Sequence, residues 1–391
     1  MHRFFWNIGF VFCTLFILTF EFTYSIFPSF YQLVNPIFEL LVSASGTLFF
    51  GLNEGFSPVI SSDSLGLYVH VFNLFLVSLG FVCFLEVLPI SKEVNLRPYL
   101  LKLLTYYLSL QLLIYGLDKV FKAQFFLPEP NTLFTPLKDI SRDLLYWSAL
   151  GSSRSYSLFL GMAEVSTALF LLFHKTRLIG IVFGVGIMTN VVAVNFGFDI
   201  SVKVYSLFLL SGFLVLASPY FDFLNQVFIH KKATNFPKES ELVLINNPKL
   251  KSGIKWTVIL LFIAEGFFPF VATQNFNDDH FPRPKFHGAY QILNPESGVE
   301  NVFVHRKGYL IFKNMKDEFQ DFRMEIDSVN SKILVFDYEN KIHSTLKYEE
   351  ERGELISVLG EINEQGIYYQ LKKLNLENSV LMEHDFHWTV E

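Results

Sequence analysis

Seven apolar runs, most of them about twenty residues long, dominate this chain at roughly 4–23, 66–90, 98–118, 155–173, 177–197, 202–220 and 255–273. A helix needs about 20 consecutive apolar residues to cross a bilayer core, where every backbone polar group must be satisfied within the segment. Runs of this length and number exclude a solvated globular fold for the first two thirds of the chain. Composition agrees: 51% of the 391 residues are hydrophobic, only 17% are charged, and 46 are Phe, with a mean hydropathy of +0.36. The first run continues from Phe4 to Phe20 without a small-residue cleavage site, so it reads as a span rather than a signal peptide. The stretch 36-PIFELLVSASGTLFFGLNEG-55 holds too few apolar residues for a confident crossing and reads as a helix lying on the outer face.

Charge placement sets the expected orientation, because Lys and Arg accumulate in cytoplasmic loops. With Arg3 in the cytoplasm, the 24–65 loop lies outside and contains no Lys or Arg. The turn with Lys92 and Arg97, the turn 174-HKTR-177 and the segment with Lys231, Lys232, Lys238, Lys249 and Lys251 then all lie inside. The stretch 119–154 falls outside and mixes five Lys or Arg with Asp118, Glu129, Asp139 and Asp143 at or near it, so its charges read as structural or functional. An odd number of spans follows, with the N-terminus in and the C-terminal part out.

The apolar periodicity stops at 274-QNFNDDHFPRPKF-286, where Pro282 and Pro284 stiffen the chain. Beyond it, 301-NVFVHR-306, 322-FRMEI-326, 332-KILVFDY-338, 342-IHSTLKY-348, 355-LISVLG-360 and 366-GIYYQLKK-373 read as short strands separated by turn residues. Within 342–348, alternation puts Ile342, Ser344, Leu346 and Tyr348 on one face. Residues 275–391 carry 21 Asp or Glu against 13 Lys or Arg. The reading is an all-α polytopic membrane bundle over 1–273, followed by an all-β antiparallel, acidic soluble domain over 274–391. No basic patch with interleaved aromatics is present, which speaks against nucleic acid as a partner. The end, 386-FHWTVE-391, reads as a last strand burying Phe386 and Trp388, ahead of an aromatic edge docked on the membrane.

Polar residues inside the spans point to a site, since each is costly in hydrocarbon. In 190-NVVAVNFGFDISVK-203, Asn190 lies mid-span, and Asn195, Asp199 and Lys203 follow at four-residue intervals. They line one face if the helix is continuous, and only the Asp199–Lys203 pair survives if it breaks near Gly197. In 115-YGLDKVFKAQF-125, Tyr115 and Lys119 share a face, as do Asp118 and Lys122. Glu164, in 161-GMAEVST-167, has no cation within a turn of its own helix and requires a partner on another helix, a proton or a wet cavity. Depth alone places Tyr115, Lys119, Glu164, Asn190, Asn195, Asp199 and Lys203 in the outer half of the bundle. Two readings stay open for them: a cavity for a headgroup, quinone or small anion, or interhelical contacts and snorkelling side chains. Above them, 128-PEP-130 is a rigid turn, and 152-SSRSY-156 offers Arg154 either as an anion clamp or within an ordinary serine-capped helix start.

No HExxH, GxSxG or Walker motif occurs. His70 and His174 are isolated, so no metal site is expected. Cys13 and Cys83 both fall in spans without a CxxC, which speaks against a thiol–disulfide relay.

The segments 116-GLDK-119, 161-GMAE-164, 173-FHKTRLIG-180 and 190-NVVAVNFGFDISVK-203 carry a resemblance to DoxX-like bacterial membrane proteins over a core of about 98–218. More distantly, the layout resembles the transmembrane region of vitamin K-dependent carboxylase-like proteins and the lipase maturation factors, which also append a β-rich extracytoplasmic part. The resemblance implies an up-and-down bundle of about four helices in the bacterial inner membrane. It further implies a quinone flanked by Lys119 and Glu164, with Lys119 as the position matching a membrane lysine that acts as base toward a hydroquinone.

Two functions therefore stand side by side. One is a membrane enzyme or redox subunit binding a quinone or other lipid, with Lys119 as base or cation stabiliser, Glu164 as its proton partner, and Tyr115, Asn190, Asn195, Asp199, Lys203 and Arg154 around the ligand. The other is a non-enzymatic envelope scaffold that presents the acidic β-domain to a protein partner. Transport ranks third, because no inverted repeat is visible.

Overall fold

A computed structural model of the chain describes residues 2–53, 55–88, 94–237, 247–294, 298–337, 341–351, 355–362, 365–376 and 379–382. Lys92, Lys238 and the expected terminal strand 386–391 lie outside the described residues. The chain forms two compact units: Met1–Phe121 with Leu158–Phe276, and Lys122–Ser157 with Asn277–Glu391. The polar loop region after the third expected span thus belongs with the C-terminal β-structure.

The helices are α1 (His2–Thr19), α2 (Tyr31–Phe50), α3 (Leu65–Val87), α4 (Arg97–Val120), α5 (Pro130–Leu133), α6 (Arg142–Gly151), α7 (Arg154–Leu172), α8 (Arg177–Gly197), α9 (Lys203–Ala217), α10 (Phe221–Leu224) and α11 (Pro248–Thr273). Local chemistry starts them where expected. Ser64 accepts the Leu67 N–H at the head of α3, and Asn247 accepts those of Lys249 and Leu250 ahead of Pro248 in α11. Hydroxyls within the apolar helices mostly return to the carbonyl four residues earlier, as at Thr14, Ser78, Thr105 and Thr167, so these hydroxyl hydrogens have acceptors within their own helix. In α4, 67% of the apolar window is buried, against 22–39% in the other long helices. The first unit is therefore built around α4, and its remaining helices each turn an apolar face outward.

Seven helices are long and apolar enough to cross a membrane, as expected in number, but by length α2 is among them and α1 is the shorter one. Contacts distinguish the two. Arg3 pairs with Glu86 at 3.0 Å, and Thr19 meets His70 at 2.8 Å, so α1 runs antiparallel along α3. Along α2, Phe38 packs on His70 (5.1 Å) and Phe50 on Phe72 (5.2 Å). Twelve residues of α2, roughly 18 Å, thus meet two residues of α3, roughly 3 Å of rise. α2 therefore meets α3 near His70–Phe72 rather than in register along its length. It buries Asn35, Val42, Ser45 and Gly46 and leaves Leu33, Ile37, Leu40 and Leu48 exposed.

The second unit is a closed barrel of eight strands, each antiparallel to the next, with β8 returning to β1. The strands are β1 (Gly288–Ile292), β2 (Val299–His305), β3 (Tyr309–Asn314), β4 (Phe319–Asp327), β5 (Lys332–Phe336), β6 (Ile342–Glu350), β7 (Leu355–Ile362) and β8 (Gln365–Lys373). Closure pairs Tyr290 with Lys373 and Ile292 with Leu371, which removes the free edges an open sheet would leave. Inward residues from every strand fill the interior, where a cavity of about 20 Å³ remains, room for at most one water. β4 and β6–β8 largely alternate buried and exposed positions, but β2 and β3 are buried at four consecutive residues each. Their outer face is covered as well: Ala289, Phe303 and Ile311 form a second core with Phe134, Leu374 and Leu376. On β6, Leu346 and Tyr348 face inward as expected, whereas Ile342 is exposed. An irregularity in register between Val335 and Phe336, opposite it, accounts for the switch.

A buried charge cluster ties segment 122–157 to the strands. Glu129, 4% exposed, accepts hydrogen bonds from His287 (3.1 Å), the Arg306 N–H (3.1 Å) and the Arg306 guanidinium. Arg306 also reaches Asp278 and stacks over Phe126 at 4.3 Å, and Arg283 holds Asp278 at 3.0 Å. Burial alone would raise the Glu129 carboxyl, but the His287 hydrogen bond and the Arg306 charge outweigh it and hold the group at about 2. A carboxyl depressed in the folded state stabilises it above the unfolded value and loses that stability as pH falls through the folded one. The second unit should therefore lose about 3 kcal/mol between roughly pH 4.5 and pH 2, measured as hydrogen-exchange protection of its strand amides. Glu129→Gln should be less stable at neutral pH and should lose less across that window. The remaining loss comes from Asp278, which, against the opposing effect of burial, Arg283 and Arg306 also hold below its ordinary value.

Candidate functional site

The site begins with two glycines. A Cβ on Gly116 of α4 would stand 2.9 Å from the Gly161 carbonyl oxygen, and one on Gly161 of α7 would stand 2.5 Å from that of Gly116. The two backbones approach closely only because neither residue has a side chain. Three residues beyond each glycine come Lys119 and Glu164, and there the two side chains meet, Nζ to Oε2 at 2.7 Å, with side chains only 9% and 6% exposed. The Lys119 ammonium also lies 3.5 Å from the Tyr115 carbonyl oxygen and 5.6 Å from the Tyr115 ring centre. Ser109 adds a hydrogen bond to the Ala168 carbonyl of α7 at 3.0 Å.

The pair ends a polar stripe on α4 at four-residue intervals: Tyr107, Gln111, Tyr115, Lys119. The Tyr107 and Tyr205 hydroxyls meet at 3.0 Å, and Gln111 Nε2 donates to the Tyr24 hydroxyl at 2.9 Å. Gln111 is fully buried, and its Oε1 has no partner among the described residues. Around the stripe, Tyr205 stacks on Phe20 (4.3 Å) and Phe208 on Phe16 (4.1 Å).

The other sequence candidates fall elsewhere. Asn190 is exposed on α8, while Asn195 is buried there with Nδ2 unpartnered among the described residues. α8 ends at Gly197 and α9 begins at Lys203, so the four-residue series 195–199–203 is broken and only its local pairing remains. Asp199 adopts a left-handed backbone (φ 56°) and pairs with Lys203 at 2.8 Å. The head of α9 is capped by Asp63, which accepts the Lys203 and Val204 N–H groups at 2.7 and 3.0 Å. Arg154 belongs to the second unit and donates to Asn277 at 3.0 Å, while the Ser153 hydroxyl accepts the Tyr156 N–H at the start of α7. Lys122, fully buried, donates to the Gly151 carbonyl and faces Asp279 at 3.6 Å. Burial pushes its ammonium below the ordinary lysine value.

Sequence reasoning missed Glu265. It is a buried carboxylate in α11 that accepts the backbone N–H groups of Ser25, Ile26 and Phe27. The signal was present, since 263-IAEGFF-268 places a carboxyl in an apolar run as 161-GMAE-164 does. Its role here is to hold the chain leaving α1.

Against known proteins, the chain is 33% identical over 110 residues to the Bacillus subtilis protein "Uncharacterized protein YwoB", a stretch covering 28% of this chain and 70% of that one. The chain belongs to the YwoB family. No family model and no solved structure matches. The relative's name carries no activity, so the roles of the site residues rest on their chemistry.

That chemistry is a proton donor and acceptor sealed among helices, where breaking a buried pair by removing one partner costs about 3–5 kcal/mol. Lys119→Ala should lower the thermal unfolding midpoint of the detergent-solubilised protein sharply. Lys119→Met combined with Glu164→Leu should restore most of the loss, because no charge is then left buried alone.

Proposed function

We propose that this is an integral membrane protein of the DoxX-like kind, whose helical unit binds a quinone or another lipid-soluble molecule with a polar head beside Lys119 and Glu164. The observation that carries the reading is the buried Lys119–Glu164 pair at 2.7 Å, joined to a stripe of buried tyrosine and glutamine groups on the same helix. A quinone supplies two carbonyl acceptors and, when reduced, two hydroxyl donors. The residues suit it: Lys119 donates to a carbonyl oxygen, Glu164 accepts from a hydroxyl, and the orphaned Gln111 Oε1 is a further acceptor. In this reading Lys119 and Glu164 hold and move the proton, and Tyr115 packs against the ammonium.

The basic turns at Arg97, 174-HKTR-177 and Lys249–Lys251 support a cytoplasmic location for the start of α4, the α7–α8 turn and the start of α11. Counting the crossings from α4 to α11 on that basis supports an extracytoplasmic barrel at a bacterial inner membrane, whichever way α2 lies. A second reading, a non-enzymatic envelope scaffold, is favoured by one observation: the barrel interior is filled to about 20 Å³, so the barrel's outer surface rather than its interior would meet a partner.

Native mass spectrometry with lipid extraction separates the two. Wild type should release a quinone or one defined lipid, and Glu164→Gln and the Lys119→Met/Glu164→Leu double variant should release none while remaining folded. An empty wild type, or a ligand retained by the double variant, would move the function to the barrel surface.

A further inference from the structure

The bundle has a second polar feature at the other end of α4, roughly 25 Å along the helix from Lys119. There α1 and α4 run side by side: Gly9 would carry a Cβ 3.3 Å from Leu100, Phe10 packs on Tyr99 at 6.4 Å, and the Arg97 guanidinium lies over Trp6 at 4.8 Å. Asn7 fixes the chain entering α4, donating to the Val94 carbonyl and accepting the Leu96 N–H. The seam then opens into a groove of about 370 Å³ lined by Phe10, Tyr99, Lys102, Leu103, Tyr106 and Tyr107. Apart from the Lys102 ammonium and the tyrosine hydroxyls, these side chains are hydrocarbon.

The charges at this seam are unbalanced. Neither Arg97 nor Lys102 reaches a carboxylate among the described residues, and Arg97 Nε is buried there without an acceptor. By contrast, Arg3 reaches Glu86, Lys119 reaches Glu164 and Lys203 reaches Asp199. A buried guanidinium edge without an acceptor calls for an anion, and the adjoining apolar groove calls for a hydrocarbon chain.

We propose that the α1–α4 seam binds one anionic phospholipid of the surrounding bilayer, with an acyl chain in the groove and the phosphate between Arg97 and Lys102. Arg97 offers the fork of donors that suits phosphate oxygens, and Lys102 contributes a point charge on a flexible stem. Tyr99 and Trp6 are residue types that settle at headgroup level. A zwitterionic lipid carries the same phosphate but brings its own ammonium, so it leaves the two cations less well neutralised. The inference stands independently of any ligand at Lys119 and Glu164.

The test is native mass spectrometry of the detergent-purified full chain, titrated with equal amounts of phosphatidylglycerol and phosphatidylcholine. Wild type should retain one phosphatidylglycerol in preference to phosphatidylcholine. Lys102→Gln and Arg97→Gln should each reduce that preference about fivefold, while Lys175→Gln, an exposed cation at the α7–α8 turn, should leave it unchanged. Leu103→Trp, filling the groove, should lower retention of both lipids. Absence of a preference in wild type overturns the proposal. So does an equal loss with Lys175→Gln, which would mean diffuse surface charge, or an unchanged preference with Lys102→Gln. Lys102 is exposed, so its variant keeps the packing intact and remains decisive if Arg97→Gln disturbs Trp6.

Discussion

The close approach of α4 and α7 at Gly116 and Gly161 is the constraint on which the helical unit depends. Without lipid-excluding hydrophobic force between helices, packing and polar contacts must hold a membrane bundle together. Two backbones in contact bring a lysine and a carboxylate, each three residues further on, to 2.7 Å. A side chain at either glycine would separate the helices by more than the pair can span. The Lys119–Glu164 pair would then be broken inside the bundle, a costly outcome for buried charges. The stripe of Tyr107, Gln111 and Tyr115 follows from the same placement, because α4 is the helix most enclosed by its neighbours.

In the second unit the same economy of burial appears in a different form. An eight-stranded barrel needs no external edge partner, yet β1–β3 are buried on both faces. The reason is segment 122–157, which supplies Phe134 to the outer core and Glu129 to the charge cluster around Arg306. A carboxylate with three hydrogen-bond donors and an arginine fork with two carboxylates satisfy one another, so the cluster fixes the segment rather than merely surviving beneath it. Of the mixed charges of 119–154, Lys122, Glu129 and Arg154 thereby find a structural explanation inside the second unit, whereas Lys119 belongs to the helical one.

Legibility followed the range of the interaction. Six of the seven expected spans match helices within four residues at each end, because a twenty-residue apolar run is a local signal; α11 begins seven residues earlier, at Pro248, where its first two turns are polar. The strands 301–306 and 322–373 were legible for the same reason, through alternation and turn residues. β1 and β3 were not singled out, since the first is five residues long and the second is joined to β2 by a tight turn at Gly308. Of the site, Lys119, Glu164 and Tyr115 were identified from their depth and brought together by the fold. Asn190 shared that depth but faces outward, because depth carries no information about rotation. Glu265 was overlooked although it obeys the same rule as Glu164.

The sequence by itself determined the medium of each half: apolar runs long enough for a bilayer, then alternating strands with an acid excess. It also determined that Glu164 required a partner on another helix, a proton or a wet cavity, since a bare charge in hydrocarbon is costly. It left Lys119, near a span end, either a ligand or partner to meet or an interface to snorkel to. Only the tertiary structure decided that Lys119 and Glu164 meet, that α2 packs on α3 near His70–Phe72, that the meander closes, and that 122–157 covers the barrel. Those outcomes depend on residues 22 to 177 positions apart meeting, and no local pattern encodes which distant surface a side chain will face.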